Sequence, residues 1–235
     1  IDKFQFQSKT TFNYFNNKLP SGKSTLFQDG IDFKFFYPVS KEEARKKIGF
    51  SKDRKLILYV GTFTKNKGVD SLISMFNILR KEFNNLDLIL VGGSEKDSLF
   101  NLVKSSGAKY FTRLDRRELR TYYSAADVHV YPSDNDSVIN FAGISNANIE
   151  SLACGTPIFT SQLKHFFGNK MESNKIGMEY TNIKNSVSSL AFILNNPDNF
   201  SECRNIAEKY YNREKNAKKS VEMYLTLFNH YKRGK

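Results

Sequence analysis

Short, largely apolar runs recur along this chain: Leu56-Ile57-Leu58-Tyr59-Val60, Leu86 to Val91, Val128 to Tyr131 and Pro157 to Thr160. A strand with no polar alternation needs cover on both faces, which parallel sheets flanked by helices provide. Helix-forming segments separate these runs. The one from Gly68 sets Val69, Leu72, Ile73, Phe76 and Leu79 on a single face. Strands joined by such crossovers predict an α/β fold, a doubly wound Rossmann-like parallel sheet. In that architecture ligands sit beyond the carboxyl ends of the strands, where the Gly61 and Gly143 loops emerge.

The remaining elements follow the same logic. Glu95 to Ser106 suits a helix, Lys109 to Thr112 a short strand and Arg116 to Ala125 a helix; Val187 to Leu194 and Asn199 to Tyr210 are further helices. The last helix carries a stripe of Ala217, Val221, Tyr224, Leu225 and Phe228, which calls for a packing partner. Upstream, Lys3 to Ser8 alternates like a strand, Lys9 to Asn17 reads as a helix and Thr25-Leu26-Phe27 as a second strand. Turn chemistry at Asp29-Gly30-Ile31-Asp32 then sets a boundary, and Ser40 with Glu43 forms a capping pattern. The expected division is residues 1–29, 30–212 and a C-terminal helix at 213–235.

Charge narrows the partners without choosing one. The chain has 36 Lys and Arg against 24 Asp and Glu, a net +12 that favours anions. The clusters Arg45-Lys46-Lys47, Arg116-Arg117, Lys215-Lys218-Lys219 and Lys232-Arg233 read as solvated helix faces. No nucleic-acid-binding motif accompanies them, so a nucleic-acid partner is not expected. No eighteen-residue apolar run occurs, and Ile1-Asp2-Lys3 lacks both Met and a signal-peptide core, so the chain is expected to begin inside a longer polypeptide. Cys154 and Cys203 have no metal or disulfide spacing and read as packing residues of a cytoplasmic protein.

One stretch carries the chemistry. Gly143-Ile144-Ser145-Asn146 leads into a helix containing Glu150 and closed by Cys154-Gly155-Thr156-Pro157. Ser145 or Asn146 can cap that helix, its free amides form an anion site, and Gly143 lets a phosphate approach the backbone. An ordinary capped helix has the same appearance, so the stretch is weighed with its neighbours.

Those neighbours are Gly61-Thr62-Phe63-Thr64-Lys65-Asn66-Lys67-Gly68-Val69-Asp70, Phe27-Gln28-Asp29-Gly30-Ile31-Asp32 and Ser124-Ala125-Ala126-Asp127-Val128-His129-Val130-Tyr131-Pro132-Ser133. In this order they resemble the C-terminal half of the two-Rossmann-domain (GT-B) retaining glycosyltransferases of group 1. The resemblance covers residues 24 to 230. It implies a donor-binding domain with residues 1–29 as a remnant of the N-terminal acceptor domain. The implied donor is a nucleotide-diphosphate sugar of UDP or GDP type, with no metal and no other cofactor.

The family's diphosphate-binding Arg and Lys fall on Thr62 and Lys67; Thr62 is a departure, because a hydroxyl supplies no charge where a guanidinium would. Lys65, Lys23 or Arg113 could compensate. Of the family's two glutamates, the ribose-binding one matches Glu150, while Ala142 stands at the sugar-binding one, leaving Asp136 or Asp134 to fold back in its place. The Gly61 loop and the amides of Gly143, Ile144, Ser145 and Asn146 would hold phosphate, and Arg113 with Leu114 would line the nucleobase.

Lys67 and Glu150 are the implied catalytic pair, in transfer of a hexose with retention to a glycan or glycolipid acceptor. That acceptor would be bound mainly by the N-terminal domain, with peripheral contact at the inner membrane face. His129, His165 and His230 do not match the family's assisting histidine, and the chain alone is expected to be inactive. The departures at Thr62 and Ala142 keep a second reading open, a non-catalytic relative that still binds nucleotide or a partner.

Overall fold

The computed structural model describes residues 3–28, 30–133 and 143–233, without the side chains of 230 and 233. Asp29, Asp134, Asp136 and Ala142 therefore lie outside the described residues.

Strands β1 (Phe4–Phe6) and β2 (Ser24–Leu26) pair in parallel around helix α1 (Lys9–Asn16), a separate two-stranded sheet. The main sheet has six parallel strands: β3 (Lys55–Val60), β4 (Leu86–Val91), β5 (Lys109–Phe111), β6 (Val128–Tyr131), β7 (Ile158–Thr160) and β8 (Gly177–Glu179). Their spatial order is β5-β4-β3-β6-β7-β8, with Ile57 opposite Val128 and Leu58 opposite His129. The chain thus builds outward from β3 through β4 and β5, then reverses to β6. The reversal point between β3 and β6 is where a doubly wound sheet opens its crevice.

The apolar stretch of β3 is buried for the reason its composition dictates: Leu56, Ile57, Leu58 and Tyr59 are each 0% exposed. Helices α2 (Lys41–Ile48), α3 (Val69–Leu79), α4 (Phe100–Ser105), α5 (Arg116–Ala125) and α6 (Asn146–Ala153) come next in the chain. They are followed by α7 (Lys170–Ser173), α8 (Ile183–Asn195), α9 (Cys203–Tyr211) and α10 (Arg213–Arg233). Val69, Leu72, Ile73, Phe76 and Leu79 all face the core, as their spacing requires. Cys154 and Cys203 are buried free thiols.

Several expectations change. The helix expected from Glu95 begins at Phe100, because the Asp97 carboxylate accepts from the amides of Phe63 and Ser94 and holds residues 94–99 in turns. Strand β8 has no apolar run to announce it; its Gly-Met-Glu backbone is drawn in by pairing with β7. Arg45 is not part of a solvated face. It is 5% exposed and bonded to Asp127 at 2.8 Å, while Asp127 also accepts from Lys41 and from the Leu56 amide.

Among the described residues the stripe on α10 has no packing partner of the kind that its pattern calls for. Val221, Tyr224, Leu225 and Phe228 are each more than half exposed, and Ala217 is exposed as well. Among the described residues no helix is long and apolar enough to cross a membrane.

Candidate functional site

The loop after β3 is held from three sides. The Tyr59 hydroxyl donates to the Thr62 carbonyl at 2.7 Å, the Phe63 amide donates to Asp97 at 2.7 Å, and the Phe63 ring lies against Gly93. Backbone hydrogen bonds, that from Phe63 above all, hold Asp97 below the usual carboxylate range. Lys65–Lys67 forms a single 3-10 turn that ends at Gly68. There the loop meets the end of β6: a Cβ on Gly68 would stand 1.9 Å from the Pro132 carbonyl oxygen, with φ at +73°.

Gly68→Ala is therefore expected to push the loop off β6. It should cost more than the roughly 1 kcal/mol that a left-handed backbone alone imposes on a side chain, because the clashing atom is backbone. Denaturant unfolding of the variant checks this; a change under about 0.5 kcal/mol, the size of an ordinary surface substitution, would contradict the packing.

This packing sets Lys67, half-buried, with its ammonium 5.7 Å from the centre of the Tyr131 ring at the end of β6. Tyr131 itself stacks on Tyr59 at 5.9 Å. The loop's lysine thus stands above the two strands that flank the reversal point. Thr62 is exposed, and among the described residues its hydroxyl reaches only Thr64, at 3.5 Å. Lys65 and Arg113 are exposed, and Leu114 is half-buried against the core.

On the β6 side, Gly143 and Ile144 are buried and Gly143 lies beside Ser8, the cap of α1. Ser145 caps α6, its hydroxyl accepting from the Asn148 amide at 3.4 Å. One part of the expected anion cradle is corrected here. The Ser145 amide donates to Gln162 Oε1 at 2.9 Å and is not available to a phosphate. The amides of Ile144, Asn146 and Ala147 have no acceptor among the described residues, and those of Asn146 and Ala147, in the first turn of α6, keep the helix-terminal character that attracts anions.

Behind this turn runs a buried polar chain. Asn148 donates to Gln162 and Thr160 and bonds His129 Nδ1 at 3.1 Å. Burial pushes His129 down to about 3, so its ring is neutral at working pH.

Glu150 is half-buried on the side of α6 that faces α5. Tyr123 of α5 donates its hydroxyl to Glu150 Oε2 at 3.2 Å, and Oε1 has no hydrogen-bond partner among the described residues. Burial raises its carboxyl to about 6; the Tyr123 hydrogen bond and the nearby Arg116 guanidinium oppose that rise. Arg116 opens α5 directly after the Arg113-Leu114 loop and lies over the rings of Phe35 and Phe36.

The sequence reading did not single out Asp97, Tyr123 or Gln162. Each acts on a partner 17 to 34 residues away, across elements, so no local spacing signals it.

Among the described residues no cluster of His, Cys, Asp and Glu could hold a metal ion. A cavity of about 610 Å³ runs elsewhere, along the edge strand β8, lined by Leu163, Phe166, Met178, Phe192 and Phe200 among others. None of its lining residues belongs to the two loops above β3 and β6.

The arrangement has counterparts. The D-inositol 3-phosphate glycosyltransferase of Thermobifida fusca is 32% identical over 165 residues, which are 64% of this chain and 36% of that protein. The GDP-mannose-dependent monoacylated alpha-(1-6)-phosphatidylinositol monomannoside mannosyltransferase of Corynebacterium glutamicum is 27% identical over 168 residues, 67% of this chain and 44% of its own. The chain thus spans well under half the length of these relatives.

Among solved structures, the sucrose-phosphate synthase of Thermosynechococcus elongatus superposes with a TM-score of 0.77 at 23% identity, covering 96% of this chain and 58% of that one. Anabaena HepE in complex with UDP gives 0.77 at 13% identity, covering 96% and 64%. These structures share the fold. A family profile described as glycosyl transferases group 1 matches residues 40–219, most of the chain, and the chain accordingly belongs to the group 1 glycosyltransferase family, as its C-terminal half.

Proposed function

We propose that this chain is the donor-binding half of a glycosyltransferase that moves a hexose, with retention, from a nucleotide-diphosphate sugar to a glycan or glycolipid. The observation that carries the reading is the pair of loops at the sheet's reversal point. One brings Lys67 over Tyr131 and the other presents the open end of α6 with Glu150 one turn inside it. Both features suit a nucleoside diphosphate: an ammonium and helix-terminal amides for the phosphates, a carboxylate for the ribose diol. HepE is solved with UDP, which supports a nucleotide of this kind here. Lys67 and the amides would neutralise the departing diphosphate as the bond between the sugar and the diphosphate breaks, which is the electrostatic work such a transfer needs.

The acceptor is then a matter for the rest of the protein, since the relatives are more than twice as long as the matched segment. Peripheral contact with the inner face of a membrane would suit the net charge of +12. Thr62 carries no charge to share the diphosphate, so Lys67 bears more of the load. Calorimetric titration with UDP and GDP is expected to give micromolar to millimolar binding, weakened about tenfold or more in Lys67→Ala, the size of a lost charged hydrogen bond. A chain that binds neither nucleotide, or a Lys67→Ala variant that binds as tightly as the parent, would remove this reading. The non-catalytic alternative is favoured if the full-length protein binds nucleotide and transfers no sugar from any donor.

A further inference from the structure

Glu150 and Tyr123 sit on different helices, and their contact singles out a residue outside the donor-binding groups named above. Tyr123 is 0% exposed, and its ring is fixed edge-on between Phe36 at 6.3 Å and His129 at 5.7 Å. Its backbone carbonyl is also pinned, accepting from the Thr156 hydroxyl at 2.6 Å. The ring therefore has one orientation, and in it the hydroxyl meets Glu150 Oε2 at 3.2 Å. A long acidic side chain on a helix ordinarily loses considerable rotamer freedom when it binds something. Here one oxygen is already held, while among the described residues Oε1 has no other partner and Oε2 has none besides Tyr123.

We infer that Tyr123 is a positioning residue for the donor site, holding the Glu150 carboxylate in the orientation that accepts the ribose hydroxyls. The inference rests on the donor-binding reading proposed above. Tyr123 touches no substrate in this account and acts only through Glu150.

The surroundings leave few other candidates for that task. From α5 the charged neighbour is Arg116, which lies over Phe35 and Phe36 and forms no ion pair with Glu150 within 4 Å. Just past the end of Glu150's own helix stands Cys154, whose thiol burial pushes up to about 12 and so keeps neutral. From α9, Arg204 is committed to the carbonyls of Phe36, Ala153 and Phe33. Burial and the adjacent Glu150 raise the Tyr123 hydroxyl well above its usual range, so it remains a donor wherever Glu150 titrates.

The test is Tyr123→Phe, which keeps the buried ring and removes only the donor. In the ligand-free chain, a carboxyl-carbon NMR titration should find Glu150 titrating at a higher pH in the variant, since a hydrogen bond to the charged form is gone. UDP and GDP titrated across the same pH range should bind about three- to tenfold more weakly near neutral pH, with the acid limb of affinity moved upward. In a Glu150→Gln background the same substitution should have little further effect, because the two residues act as one unit. An unmoved Glu150 titration would overturn the inference, as would a loss of affinity that simply adds to that of Glu150→Gln. If Glu150→Gln alone leaves nucleotide affinity intact, the donor-site reading falls first and the role of Tyr123 falls with it.

Discussion

Asp127→Ala is expected to destabilise the chain by about 3–5 kcal/mol, the usual consequence of stranding one half of a buried ion pair. Asp127 is 9% exposed and serves three donors at once: Arg45 at 2.8 Å, Lys41 at 2.9 Å and the Leu56 amide at 2.7 Å. Removing it leaves the Arg45 guanidinium, 5% exposed, with only the carbonyls of Ala125 and Lys52 among the described residues. It also orphans the Leu56 amide, near the amino end of β3 where that strand runs beside β6. A loss this large is a substantial part of the roughly 5–15 kcal/mol that holds a domain together. Urea unfolding checks it. A double variant, Arg45→Met with Asp127→Leu, should recover much of the loss, since apolar replacements of a buried pair are often neutral. A single variant within about 1 kcal/mol of the parent would contradict the account of Asp127.

Glu150→Gln is expected to move stability and binding in opposite directions. The folded-state carboxyl is raised from its ordinary value of 4.5 to about 6, with burial as the main cause. Between those values the folded chain holds more protons than the unfolded chain, so stability falls as pH rises through that window. Above it the full cost is present, at most about 2 kcal/mol for a shift of this size. Glutamine removes the charge and can still accept from Tyr123. The variant should therefore melt about 2–6 °C higher at neutral pH, the gain vanishing below the carboxyl's ordinary value. Nucleotide affinity should fall about tenfold or more, in the pattern of a functional group kept at the expense of stability. A variant that is no more stable and binds as before would mark Glu150 as an ordinary half-buried side chain.

How much of this was legible in the sequence depended on how local each signal is. The strands β3, β4 and β6 are mostly apolar because both faces are covered, and that pattern survives in the sequence alone. Strand β8 exists only through its neighbour, and Gly177-Met178-Glu179 carries no pattern of its own. Arg45 sits in a run of three basic residues, where composition favours solvent; its burial follows from Asp127, 82 positions away. The Ser145 cap was readable from its residue type, whereas the capture of its amide by Gln162 was not. Lys67 and Glu150 were singled out by resemblance and loop position, but Tyr123, 27 residues from Glu150, is brought to it only by the packing of α5 on α6. Asp136, offered as a substitute for the family's first glutamate, lies outside the described residues.

The central claim is that a nucleoside diphosphate binds above the point where the sheet reverses. Amide chemical-shift mapping of the chain during titration with UDP and GDP tests it most directly, because it reports where the ligand sits as well as whether it binds. The account predicts saturable shifts at Gly61 to Gly68 and at Gly143 to Glu150, with the open amides of Ile144, Asn146 and Ala147 among the most affected. Shifts confined to the cavity along β8, at Leu163 to Lys170 and Gly177 to Glu179, or no shifts at all at millimolar ligand, would contradict it.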